Sequence, residues 1–107
     1  MDDIQDLRQK ITNSAPVWCD ERGRPVRFSS SFLNDVAQVF ELHGFGVTQA
    51  YLIEKSERRE LRPQAASVLK VLELLSLCPQ IQARRSIGRL ILKSLPTLAP
   101  KGGNPRD

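Results

Sequence analysis

Residues 62–95, RPQAASVLKVLELLSLCPQIQARRSIGRLILKSL, carry the densest hydrophobic pattern of the chain, and the other segments must fold against them. The block is read as two helices in tandem, 63–77 and 79–95, each opened by a proline. Proline suits the first helical turn, because its missing N–H would have no intrahelical acceptor there and its φ is already near the helical value. The residue before a proline avoids helical dihedrals, so Leu77-Cys78-Pro79 marks the break between the two. At roughly 100° per residue, Ala65, Val68, Leu69, Val71, Leu72 and Leu75 cover one broad arc of the first helix. Ala66, Leu74 and Leu77 fall instead among Lys70 and Glu73 on the other side. That is more apolar surface than a one-sided amphipathic helix requires. Ala66, Leu74 and Leu77 are therefore the candidate residues of a helix-mediated interface with a protein partner, a second copy of the chain included.

The second helix divides differently. Ile81, Ile87, Leu90, Ile91, Leu92 and Leu95 form its apolar side, and Arg85, Arg89 and Lys93 stand at i, i+4 and i+8 on the other. That basic row spans about 12 Å at the helical rise and could follow a phosphate backbone, which makes it the candidate surface for nucleic acid or another acidic partner. Gly88 interrupts the helix at a cost of about 1 kcal/mol relative to alanine. Its place in the pattern suits a neighbour that crosses closely.

Upstream, residues 2–11 are read as a short helix with Ile4, Leu7 and Ile11 on one face and acidic residues at its positive end. Asn13-Ser14-Ala15-Pro16 should stop it. Residues 17–28, VWCDERGRPVRF, are read as a β-hairpin around a Gly-containing turn, or as an extended arm over the helices, anchored by Trp18 and Phe28. The serines 29–31 supply an N-cap for a helix over 32–43, with Phe32, Val36, Val39 and Phe40 as its stripe and Gly44 as its stop. Residues 46–61 are read as a helix capped by Thr48, with Ala50, Ile53 and Leu61 inward, although Val47 to Ile53 are also rich in strand formers. Gly46-Val47-Thr48-Gln49 has the look of a turn entering a recognition helix.

The fold class expected is mainly α: a small domain of four to five helices over residues 1–95, with a short N-terminal β-hairpin or extended arm. Residues 96–107, PTLAPKGGNPRD, follow as a flexible basic tail rich in Pro and Gly. The 107-residue length fits one domain with its own core. Net charge is +4, but it is uneven. Residues 1–74 hold ten Lys/Arg against eleven Asp/Glu, whereas residues 75–107 hold six against one, which points to the last third as the basic surface.

Chemistry is sparse. His43 is the single histidine, and Cys19 and Cys78 are far apart without ligand spacing, so neither a metal site nor a nucleophile–base pair is indicated. His43 is placed at a helix end, near the negative pole of the dipole. Arg22-Gly23-Arg24 is read as a polar turn that can also reach phosphate. No apolar run approaches the length that crosses a bilayer, and no leader is visible at the N-terminus. The expectation is a cytoplasmic, non-enzymatic regulatory or adaptor protein that needs no cofactor, with nucleic-acid binding as the alternative.

Overall fold

The chain is mainly helical. The structure is a computed structural model that describes residues 3–13 and 18–98, among which there are seven helices and no strand. They are α1 (Asp3–Thr12), α2 (Ser30–His43), α3 (Phe45–Ser56), α4 (Arg62–Ser76), α5 (Pro79–Ala83), α6 (Arg85–Lys93) and α7 (Leu95–Leu98). The stop at 13–16, the start of the arm at Val17 and residues 99–107 of the expected tail lie wholly or mainly outside the described residues, whereas its first residues, 96–98, belong to α7 and Leu98 is buried in the core.

Helix α4 buries Ala65, Val68, Val71, Leu72 and Leu75 of the expected arc, leaves Leu69 partly buried, and packs on α3, α1 and α5. Helix α2 buries Phe32, Leu33, Val36, Ala37 and Phe40, and lies between α3 and α6. Ser29 caps it: its Oγ accepts the Phe32 N–H, while its own N–H donates to Gln64 Oε1 of α4 at 2.7 Å. One side chain thus fixes the start of α2 against the start of α4. Helix α1 contributes Leu7 and Ile11 to the same core, and Leu95 and Leu98 of α7 close it from the other end of the chain.

No β-hairpin forms. Residues 18–28 make an arm with a single antiparallel bridge, Cys19 to Pro25. Its two hydrogen bonds, Asp20 N–H to the Arg24 carbonyl at 2.8 Å and Val26 N–H to the Trp18 carbonyl at 2.9 Å, flank Pro25, and towards the turn the Arg24 N–H is taken by the Asp20 carboxylate, so the ladder grows no further there. The arm is held instead by its two anchors. Trp18 Nε1 donates to the Thr12 carbonyl at the end of α1 at 3.1 Å, and its ring meets Phe28 edge-on at 6.1 Å.

The reading of 79–95 as one helix is also corrected. The chain breaks at Arg84 (φ −122°, ψ 79°) and again after Lys93, giving α5, α6 and α7. The first break lets Ile81 fold back towards Gly88, where its Cγ2 lies 3.1 Å from the place a β-carbon would occupy. An unbroken helix would hold those two residues about two turns apart along its axis. The rotation also leaves Leu90, assigned to the apolar side, 64% exposed.

In α3 the inward face differs from the expected one. Thr48 and Leu52 are buried, whereas Ala50 and Ile53 are exposed. Thr48 is no cap: its Oγ1 donates to the Gly44 carbonyl at 2.6 Å from inside the helix. Consequently Gly46-Val47-Thr48-Gln49 is helical and makes no turn. The start of α3 is set by Gly44, and the Phe45 ring packs edge-on against Phe40 at 4.9 Å.

Candidate anion-binding groove

Between the arm and the first half of α4 runs an open groove of about 770 Å³. Its first wall is the turn at 20–24. The Asp20 carboxylate builds that turn, with Oδ1 accepting the N–H groups of Arg22 and Arg24 at 2.9 Å each. Those two hydrogen bonds, Arg24's the stronger influence, hold the Asp20 carboxyl below its ordinary range, helped by the neighbouring arginine charges. The backbone so fixed brings both Arg22 and Arg24 to the groove.

The second wall comes from the approach to α4 and its first turns: Arg59, Arg62 and Lys70, with Pro63 and Ala66 as apolar lining. Arg62 Nε donates to the Ser56 carbonyl at 3.1 Å, which leaves its terminal nitrogens unpartnered among the described residues. Five cations therefore face two carboxylates, Asp20 and Glu21, and among the described residues only Arg24 is in an ion pair, with Asp20 at 3.6 Å. Arg22, Arg59 and Lys70 make no side-chain hydrogen bond or ion pair among the described residues.

Ser67 lines the same groove and is 3% exposed. Its hydroxyl has no hydrogen bond among the described residues. By contrast, the exposed hydroxyls of Ser56, Ser76 and Ser94 each donate back to a carbonyl three or four residues earlier. A buried hydroxyl without a partner is uncommon, because leaving it unmet forfeits the hydrogen bond it had with water.

The residues marked from sequence are placed elsewhere or divided. Arg85 donates from Nη1 to the Leu42 carbonyl at 3.3 Å, capping the end of α2. Arg89 forms an ion pair with Glu41 at 3.3 Å. Two members of the basic row thus join α6 to α2, and Lys93 stands exposed without a partner among the described residues. Ala66 lies in the cationic groove, whereas Leu74 and Leu77 line a separate concavity of about 280 Å³ beside Leu7 of α1. Lys70 and Glu73 are both exposed on α4, Lys70 lining the groove and Glu73 in neither concavity.

His43 ends α2, in its last turn, and is exposed. Cys19 is an exposed free thiol at the groove and Cys78 a buried one. No described helix is long and apolar enough to span a membrane.

Arg59, Arg62, Lys70 and Ser67 were not singled out from sequence. They sit in a mixed-charge run and on a helix whose signal was apolar, in the part of the chain with the lower net charge. One hint was legible: Arg22-Gly23-Arg24 as a turn able to reach phosphate. No family model, curated protein or solved structure matches the chain.

Proposed function

We propose that the protein is a non-enzymatic regulatory or adaptor module that captures a polyanionic partner in the groove between the arm and α4. The observation that carries this reading is the unpaired charge: Arg22, Arg59, Arg62 and Lys70 share one concavity, and among the described residues no carboxylate is bound to any of them. Cations gathered on two facing walls repel one another, and a ligand of opposite sign relieves that repulsion. A cytoplasmic location with both thiols reduced belongs to the same proposal.

Retention on a heparin column tests it. Arg62→Glu/Lys70→Glu should elute at markedly lower salt than the parent chain. Arg84→Glu/Lys93→Glu changes net charge equally on α6 and its leading edge, and should shift elution less. Equal shifts for the two pairs would mean that net charge alone governs binding, and the groove reading would fail.

A second reading, self-association, is favoured by Leu77, which is 76% exposed on the concavity with Leu74 and Leu7. Asp6 and Lys10 flank it on α1, so a two-fold related copy could pair each with the other's opposite charge. Sedimentation velocity over a concentration series should show a dimer that Leu77→Asp abolishes while leaving the melting temperature nearly unchanged. A parent chain that stays monomeric at every concentration would dispose of this reading.

A further inference from the structure

We infer that the ligand of the groove is the sugar–phosphate backbone of a nucleic acid. This rests on the reading of the groove as a polyanion site and names the polyanion. Arg62 and Lys70 are eight residues apart on α4, about 12 Å at the helical rise. A nucleic-acid strand in a duplex carries a phosphate roughly every 3.4 Å of axis, so three or four phosphates pass along that wall. Arg22 and Arg24 meet the strand from the facing wall. Four of the five cations are arginines, whose planar fork can hold two phosphate oxygens at once.

Ser67 supplies the second, independent observation. Its buried hydroxyl needs an acceptor, and it lies between Arg62 and Lys70 in sequence, on the same groove. An oxygen of a phosphate passing between those two cations would satisfy it. An acidic peptide matches less well, because its carboxylates ride on flexible stems that leave the backbone in different directions. Meeting four unpaired cations within that span would take an unbroken acidic run. Among the described residues no aromatic ring lines the groove, so bases have no platform there to stack on. Recognition is of the backbone, with little sequence preference.

The experiment is a salt titration of fluorescence anisotropy with labelled mixed-sequence oligonucleotides, single- and double-stranded, against labelled polyglutamate of matched charge. With four cations neutralising phosphates, log affinity should fall against log salt with a slope of about −3 on single strands and about −4 on duplex. Arg22→Glu/Arg59→Glu, which breaks no side-chain hydrogen bond or ion pair among the described residues, should lower affinity at least tenfold and flatten the slope. Ser67→Ala should lower affinity severalfold at unchanged slope, since a neutral donor displaces no counterion. Asp20→Asn keeps an acceptor for the turn, removes a groove carboxylate, and should tighten binding. Polyglutamate binding as tightly as the oligonucleotides would overturn the inference and leave the polyanion reading standing. Failure of every polyanion to bind at low salt would overturn both.

Discussion

Gly88→Ala should destabilise the protein by about 2 kcal/mol, although alanine is the better helix former by about 1 kcal/mol. The reason is the crossing of α2 over α6. A β-carbon at Gly88 would collide with Cε2 of the Phe40 ring, lie 2.8 Å from its Cζ, and come within 3.1 Å of Ile81 Cγ2. Phe40 is fully buried and held edge-on by Phe45, so its ring has no free space to enter. Forcing a methyl into so tight a contact costs about 1–3 kcal/mol or more, and the clash outweighs the gain in helix propensity. For a domain of this size, 2 kcal/mol corresponds to a fall of about 8–16 °C in melting temperature. The double-mutant cycle with Phe40→Leu is decisive. In the Phe40→Leu background the clash is relieved, so Gly88→Ala should become neutral or stabilising. Equal losses in both backgrounds would show that the Phe40 contact is not the cause.

That crossing also shows what could be read from residues alone. A glycine within an apolar helix already suggested a close neighbour, because only the missing side chain explains an unfavourable helix former there. The arc of α4, the Ser29 region as a cap and the proline breaks were likewise local signals, set by periodicity and backbone sterics. The break at Arg84 was not. It carries no proline or glycine and arises because Ile81 must reach Gly88, a demand visible only once α5 and α6 are folded against each other. The hairpin expectation failed at the turn, where the Asp20 carboxylate takes the Arg24 N–H that a ladder would use.

The site was harder to read for an electrostatic reason. Summed along the chain, residues 1–74 are slightly acidic, and the basic row on α6 dominates. Folding redistributes those charges. Glu41 is drawn to Arg89, and Asp6 stands on the far concavity, while Arg22, Arg24, Arg59, Arg62 and Lys70 converge from three segments of that acidic part. Net charge by segment reports composition, and a groove depends on which side chains share a surface.

Gly44→Ala should cost about 1–2 kcal/mol and leave nucleic-acid affinity untouched. Gly44 sits at φ 86° and ψ −165°, a region essentially confined to glycine, where a side chain costs on the order of 1–3 kcal/mol. Alanine would return about 0.4–1 kcal/mol by stiffening the unfolded chain, too little to offset the strain. The backbone cannot relax easily, because the Gly44 N–H donates to the Phe40 carbonyl at 2.9 Å. Its own carbonyl accepts both the N–H and the hydroxyl of Thr48. A β-carbon would also come within 3.3 Å of Arg85 Nη2 and displace the guanidinium from the Leu42 carbonyl. Arg85→Met, which keeps an apolar stem and removes only the cap, should then cost less than Gly44→Ala and be partly redundant with it. Melting curves of the two single variants and the double measure that coupling. If Arg85→Met instead weakened oligonucleotide binding as much as Arg22→Glu/Arg59→Glu does, the row on α6 would be a ligand surface and the cap a secondary contact. A loss of stability without loss of affinity assigns Arg85 to the α2–α6 junction and leaves the groove as the site where the unpaired charge can act.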